Sequence, residues 1–289
     1  MKGIILAGGL GTRLYPVTKI IPKALLPIYD KPMIYYPLST FMSMGIKDIL
    51  IIAMQKDIKL FKSVLGDGSN IGISIKYEIE YEPKGIANAF IIGEEFIGSD
   101  NVSLILVDNI FYGDKIYDIF SNALLKNETA TVFGYEVNDP ERFGVAEFDN
   151  DMNVLSIEEK PLKPKSNYAV VGLYFYDNSV VNIAKSLKPS KRGELEITDV
   201  NKIYLKNKKL KVTLIDESNT WFDTGTHKSF VETTVFVKDI EEKSGVKFGC
   251  IEEIAYRKNY INKEQLINIA NNIKNEYGDY LLNIVSEEI

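Results

Sequence analysis

Leu6-Ala7-Gly8-Gly9-Leu10-Gly11-Thr12-Arg13-Leu14 is the segment of this chain best suited to chemistry. It sets three glycines within four positions, directly after a short apolar run. Lacking Cβ atoms, Gly8, Gly9 and Gly11 let the backbone approach a ligand closely. Consecutive N–H groups in such a loop form a nest for phosphate oxygens, and Arg13 adds a planar cation matched to them. Ten residues on, Lys23 lies between Pro22 and Leu25-Leu26-Pro27. Alone it reads as a solvated loop lysine; beside Arg13 it supplies a second cation for a polyphosphate. Asp108 ends the apolar run Leu104-Ile105-Leu106-Val107, a good place for an oxygen ligand to Mg²⁺ on a nucleotide. Asp223, in Thr220-Trp221-Phe222-Asp223-Thr224-Gly225-Thr226, has two readings: a second metal carboxylate, or the cap of a helix starting near Thr226. Glu158-Glu159-Lys160-Pro161 ends a further strand and by itself reads as a solvated turn.

Two familiar phosphate loops fail on this segment. The dinucleotide fingerprint Gly-x-Gly-x-x-Gly begins at Gly9 but meets Leu14 where its third glycine is due. The second strand then ends in Ala53-Met54-Gln55, with no acid for a ribose. The P-loop needs Gly-Lys-Ser/Thr, and the chain has no Gly-Lys pair.

The elements that must carry these residues alternate in the first half. Lys2 to Ala7, Asp48 to Met54, Ser74 to Glu80 and Val102 to Val107 read as strands, most of them apolar on both faces. Met33 to Met44, Asp57 to Leu65 and Ile86 to Phe96 read as helices between them, the first two closed by Gly45 and Gly66. Such units predict an α/β fold with a doubly wound, mostly parallel, Rossmann-like mixed sheet flanked by helices. Ligands of such sheets bind at the carboxyl ends of the strands, which here means loops 8–16, 80–85 and 108–113. The second half is mixed. Thr129 to Val137, Val145 to Phe148, Val154 to Glu159, Tyr168 to Tyr176 and Lys209 to Ile215 read as strands, with a hairpin at Asp149-Asn150-Asp151. Glu196 to Asn207 and Thr226 to Lys243 read as helices, and the spacing stays helical from Ile251 onward.

Composition narrows the classes. The 289 residues carry 34 Lys+Arg against 40 Asp+Glu, a formal charge of −6 that argues against general nucleic-acid binding but leaves room for a local basic pocket. The single Cys250 excludes an internal disulfide or a cysteine-built zinc site. With His227 as the only histidine, a Cys250/His227 nucleophilic pair is formally open. Small core filler and a helix-start residue are the better readings. No run is long enough for a membrane helix, and Met1-Lys2 leads into an apolar run too short for a signal sequence, so a cytoplasmic protein is expected.

These motifs in order resemble the sugar-1-phosphate nucleotidyltransferases, and within them the glucose-1-phosphate thymidylyltransferases. The likeness runs through the glycine loop, Lys23, Asp30 to Leu38, Asp108 to Gly113, Asn138 to Val145, Glu158 to Pro161, Gly193 to Val200, Trp221 to Thr226 and Cys250 to Arg257. It implies joining dTTP to α-D-glucose 1-phosphate, with release of pyrophosphate, as the first step toward dTDP-rhamnose and related deoxysugars. By motif position, Leu6, Gly8, Gly9, Gly11, Thr12, Arg13 and Lys23 hold the nucleotide, and Glu80 and Gly85 meet its base. Asp108 and Asp223 carry Mg²⁺, and Lys160 orients the sugar phosphate. Asn109, Gly144, Glu159, Val170 and Trp221 contact the sugar. The resemblance also implies a catalytic domain over 1–240, its nucleotide part at about 1–125 and its sugar-phosphate part at about 126–225. The helical tail, 241–289, would serve a homotetramer and a regulatory nucleotide site.

The chain departs from the family pattern at Glu80 and Ala24, where Gln is usual, and at Val107, where Gly is usual. Phe143 replaces Tyr and Leu10 a small residue. A Gln amide can accept from thymine N3–H and donate to O4, whereas an ionised Glu only accepts. UTP or GTP in place of dTTP, and a non-catalytic sugar-nucleotide-binding regulator, are the alternatives.

Overall fold

The computed structural model describes residues 1–286. Its elements in chain order are β1 (Lys2–Leu6), a short hairpin of β2 (Pro27–Ile28) and β3 (Lys31–Pro32), α1 (Tyr35–Ser43), β4 (Asp48–Met54), α2 (Ile58–Leu65) and β5 (Ser74–Glu80). There follow α3 (Asn88–Ile92), α4 (Glu94–Ile97), β6 (Val102–Leu106), β7 (Asn109–Tyr112), α5 (Ile116–Leu125), β8 (Ala130–Glu136), β9 (Gly144–Phe148) and β10 (Val154–Glu159). The last are β11 (Tyr168–Tyr176), α6 (Val180–Ser186), α7 (Ile197–Lys206), β12 (Leu210–Ile215), β13 (Thr220–Asp223), α8 (His227–Ser244), α9 (Ile251–Arg257), α10 (Lys263–Asn271) and α11 (Glu276–Ser286).

Nine strands form one mixed sheet, β10-β9-β11-β6-β1-β4-β5, with β8 and β12 attached through β11. β5, β4, β1 and β6 run parallel, while β11 is antiparallel to β6, β8 and β9. Alternation along the central strands explains the layers. Ile5, Ile49, Ile51 and Ile105 point into one core with Phe41, Phe61 and Phe111. Their neighbours Ile4, Leu50, Ile52 and Leu104 point into the other with Phe90, Tyr176 and Val200. A strand buried on both faces needs cover on both, which is why the sheet is doubly wound.

The tail shares the first core. Ile251, Ala255, Leu266, Ala270, Leu281 and Ile284 pack in the same cluster as Phe41 and Met42. Buried polar bonds tie it down: Tyr277 Oη donates to Glu252 Oε2 at 2.6 Å and Tyr280 Oη to Glu253 Oε2 at 2.5 Å. Lys31, itself buried, bonds Glu241 Oε1 at 2.7 Å and also Asp30, linking the β2–β3 hairpin to the end of α8.

Several sequence expectations need correction. Ile86 to Phe96 is two helices rather than one, broken at Gly93, where a Cβ would press on the Ala89 carbonyl and on Ile4 and Leu50. The 108–113 loop is mostly strand β7, paired with β13. The short α5 and α6 escaped the sequence reading. His227 opens α8, as its helix-start reading expects, and Cys250 immediately precedes α9. Cys250 is buried, with its thiol pushed up by burial, which suits the filler reading.

Candidate active site

Register brings the chemistry to one edge. Leu6 pairs with Ile52 on one side and Leu106 on the other, and Met54 pairs with Glu80. The glycine loop, Asp108 and Glu80 therefore leave the sheet at its carboxyl end together. In the loop Gly11 is left-handed, with φ 61°, and its carbonyl accepts the Thr18 hydroxyl at 2.7 Å. One 3₁₀ turn, Thr12–Leu14, follows; Leu14 is buried beneath it and Arg13 is exposed above. Leu6, Gly9, Gly11, Thr12, Arg13 and Lys23 line a cleft closed by Asp108 and Gly225.

Gly8 and Glu80 meet behind that cleft. A Cβ on Gly8 would run into the Glu80 carboxylate, so the loop rests on this side chain. Glu80 is buried, and burial raises its carboxyl above the ordinary range. Hydrogen bonds from Asn88 and the Lys84 backbone oppose the shift. Gly85 has φ 98° and abuts Leu195, whose N–H donates to the Lys84 carbonyl at 2.7 Å. Ala24 and Val107, two of the departures, are buried in the core beneath the site.

Lys23 is no solvated lysine. Its side chain is 10% exposed and Nζ lies 2.5 Å from Asp108 Oδ2. Burial would raise the Asp108 carboxyl, but the Lys23 and Arg13 charges and the Asn109 amide outweigh burial and hold it low. Asp223 lies across the β7–β13 ribbon, opposite Asn109. Its carboxyl is raised, by burial first and then by the Asp108 charge. A Cβ on Gly225 would sit 2.8 Å from both Arg13 Nη2 and Asp223 Oδ1, so that glycine allows cation and carboxylate to close over the backbone. The capping alternative for Asp223 is overturned, because Thr226 caps α8 by accepting the Ser229 N–H.

A second cleft opens from the same place. Arg13, Asp108 and Asp223 line it together with all of Asn109, Gly144, Glu159, Lys160, Val170 and Trp221. Asn109 is the joint: its Oδ1 accepts Trp221 Nε1–H at 2.7 Å and the Gly172 N–H at 2.8 Å, while its Nδ2 donates to Asp108 Oδ1 at 3.0 Å. Glu159 Oε2 accepts the Thr198 hydroxyl at 2.5 Å. Lys160 adopts φ 44°, a costly backbone state for a residue with a side chain, held by its N–H bond to the Phe143 carbonyl at 2.9 Å. The Phe143 and Trp221 rings pack edge to face, 5.2 Å apart.

Sequence reasoning missed several residues here. Arg142, Tyr174, Thr198 and Asn201 also line this cleft. Arg192 bonds Glu196 Oε2 at 2.7 Å and reaches Glu159 Oε1 at 3.4 Å. The usable signal was on α7, where Ile197 and Asn201 stand four apart and so share a face. For Arg192, in a polar loop, the sequence holds no such signal.

Residues 2–240 match the family model described as nucleotidyl transferase. The chain belongs to the nucleotidyl transferase family. A glucose-1-phosphate thymidylyltransferase of Neisseria meningitidis is 53% identical over 288 residues, covering 99% of this chain and 100% of that relative. A Bacillus anthracis structure provisionally assigned the same activity, solved with sucrose, is 44% identical with TM-score 0.76, covering 83% of this chain and 96% of that one. A UDP-glucose pyrophosphorylase solved with UDP-glucose is 26% identical with TM-score 0.74, covering 83% and 98%. As a nucleotidyl transferase the chain is an enzyme, and the regulator reading falls away. Among the described residues no helix is long and apolar enough to cross a membrane.

Proposed function

We propose that this nucleotidyl transferase joins dTTP to α-D-glucose 1-phosphate, giving dTDP-glucose and pyrophosphate. The observation that carries the reading is that an anion-binding cleft and a second, sugar-sized cleft meet at Arg13 and Asp108. The names of relatives matched over nearly the full chain support the choice of thymidylyl and glucosyl groups.

A phosphate oxygen of the sugar phosphate attacks the α-phosphorus in line. The new P–O bond forms as the bond to the β-phosphate breaks, and pyrophosphate leaves. Both reactants are anions, so the protein's work is positioning and charge neutralisation. The glycine-loop N–H groups and Arg13 hold the outer phosphates and take up charge on the leaving group. Lys160 orients the attacking phosphate. Lys23, now on Asp108, can turn to the triphosphate.

Asp108 and Asp223 suit a hard divalent cation. They are two carboxylates lining one cleft, Asp223 raised by burial and by the Asp108 charge, and they would hold the ion through their oxygens. Bound there, Mg²⁺ would polarise the α-phosphate as a Lewis acid.

The same reading takes 1–240 as the catalytic domain, split near 125 into nucleotide and sugar-phosphate parts, in a cytoplasmic homotetramer. The tail, 241–289, supplies contacts and a regulatory nucleotide site. Pyrophosphate release with glucose 1-phosphate and Mg²⁺, compared across nucleoside triphosphates, tests it. A preference for UTP or GTP would keep the reaction and overturn the base. Glu80 is the specific reason to include both.

A further inference from the structure

Asn201 is 1% exposed, yet it lines the sugar cleft and its amide is only half used. Oδ1 accepts the Tyr176 hydroxyl at 2.6 Å, whereas Nδ2 has no partner among the described residues. Native proteins rarely leave a buried donor orphaned, so such a group calls for a cause. The surroundings give no internal partner. Tyr176 is fully buried and held between Tyr174 and Tyr204, with ring centroids 6.1 and 5.4 Å away. This fixes the Asn201 oxygen and hence the direction of its nitrogen. Thr198, one turn earlier on α7, is already spent on Glu159 Oε2. Of the groups that face phosphate, Arg13 and Asp108 line both clefts, whereas Asn201 lines the second alone. Asn201 belongs to the sugar part.

We infer that Asn201 is a specificity-determining residue for the sugar: its Nδ2 donates to a ring hydroxyl, directly or through one trapped water. The inference deepens the proposed function and rests on it. A donor fixed by a buried tyrosine rejects a sugar lacking the matching oxygen, because the donor then stays unpaired in a closed site.

The test assays pyrophosphate release with dTTP and glucose 1-phosphate, then with glucose 1-phosphates lacking one hydroxyl at a time. The wild-type chain should lose roughly 10²-fold in kcat/KM on one analogue through this bond. Tyr176→Phe/Asn201→Leu replaces both buried partners by apolar groups and leaves neither core atom unsatisfied. It should lose at least about 10-fold on the full sugar, nothing more on that one analogue, and no affinity for dTTP. Tyr176→Phe alone frees the amide to turn and should reduce, without abolishing, the discrimination against that one analogue; unchanged discrimination would overturn the role given to Tyr176. Wild-type turnover of every analogue within about 3-fold would overturn the assignment whatever the variants do. So would a double variant that loses the same factor on all of them, the mark of a structural role. No turnover of glucose 1-phosphate by the wild type would instead overturn the functional reading, and this inference with it.

Discussion

Asp223 stands opposite Asn109 across the β7–β13 ribbon, and this pairing brings its carboxylate into the cleft lined by Asp108, within reach of that charge. Asp108→Asn and Asp223→Asn should each lose on the order of 10²-fold or more in kcat, the scale of removing a charge-stabilising group. The parent's activity should vanish in chelator. The two variants should differ in stability. Asp108→Asn strips Lys23 of a close counter-ion, so its Tm should fall, whereas Asp223→Asn removes one of two like charges and should hold or raise Tm. Thermal melts beside the activity assay check both parts; full activity of either variant in chelator would refute the metal assignment.

Arg13 is exposed above a buried Leu14 and faces both clefts. Charge moves onto pyrophosphate as the bond breaks, so this cation should count more in the transition state than in the ground state. Arg13→Ala should lower kcat by about 10²-fold or more. A change in KM alone would make Arg13 a binding residue only.

Gly8 and Gly9 should separate cleanly. Gly8→Ala drives a methyl into the Glu80 carboxylate and lifts the loop, which should cost on the order of 10²-fold in kcat/KM, with partial rescue by Glu80→Ala. Gly9→Ala meets nothing within 4 Å, so its Tm should match the parent's. Any affinity for dTTP lost there then reports close approach of the ligand.

Glu80 carries the pH prediction. Its folded carboxyl is raised by burial, so the native state binds its proton more tightly than the unfolded chain does. The associated stability is present at low pH. It declines as pH climbs from the ordinary glutamate value through the raised one, and then levels off. Glu80→Gln has no such loss, so its Tm advantage should grow across that window and plateau. If Glu80 meets the base, as its place in the family pattern implies, its protonated carboxyl donates to thymine O4 as Gln would. The variant should therefore improve kcat/KM for dTTP, increasingly as pH rises. A parent that prefers GTP, with the preference reversed in the variant, would refute the base assignment.

Much of the scaffold was legible because it is written locally. The two-sided apolar run Asp48–Met54, the alternating Ser74–Glu80 and the β-branched Tyr168–Tyr176 have the bounds their patterns implied, and glycines 45 and 66 close helices as glycine does. The glycine loop was legible for the same reason: its turn depends on its own residues, with Gly11 left-handed at φ 61°. The break at Gly93 was hidden, because it answers to Ile4 and Leu50 on distant strands.

The pairings that make the site belong to tertiary structure alone. From sequence alone Lys23 read as a solvated lysine, and its burial against Asp108 overturned that reading. Asp223 was as good a cap as a metal ligand until Thr226 took the cap and β7 took the strand. Arg192 and Asn201 carried no usable mark or a faint one, since what distinguishes them is a partner or its absence across the cleft. Propensity and periodicity report the energy of a segment with itself. The protonation of a carboxylate and the worth of an unpaired donor are set by groups far along the chain, so only packing decides them.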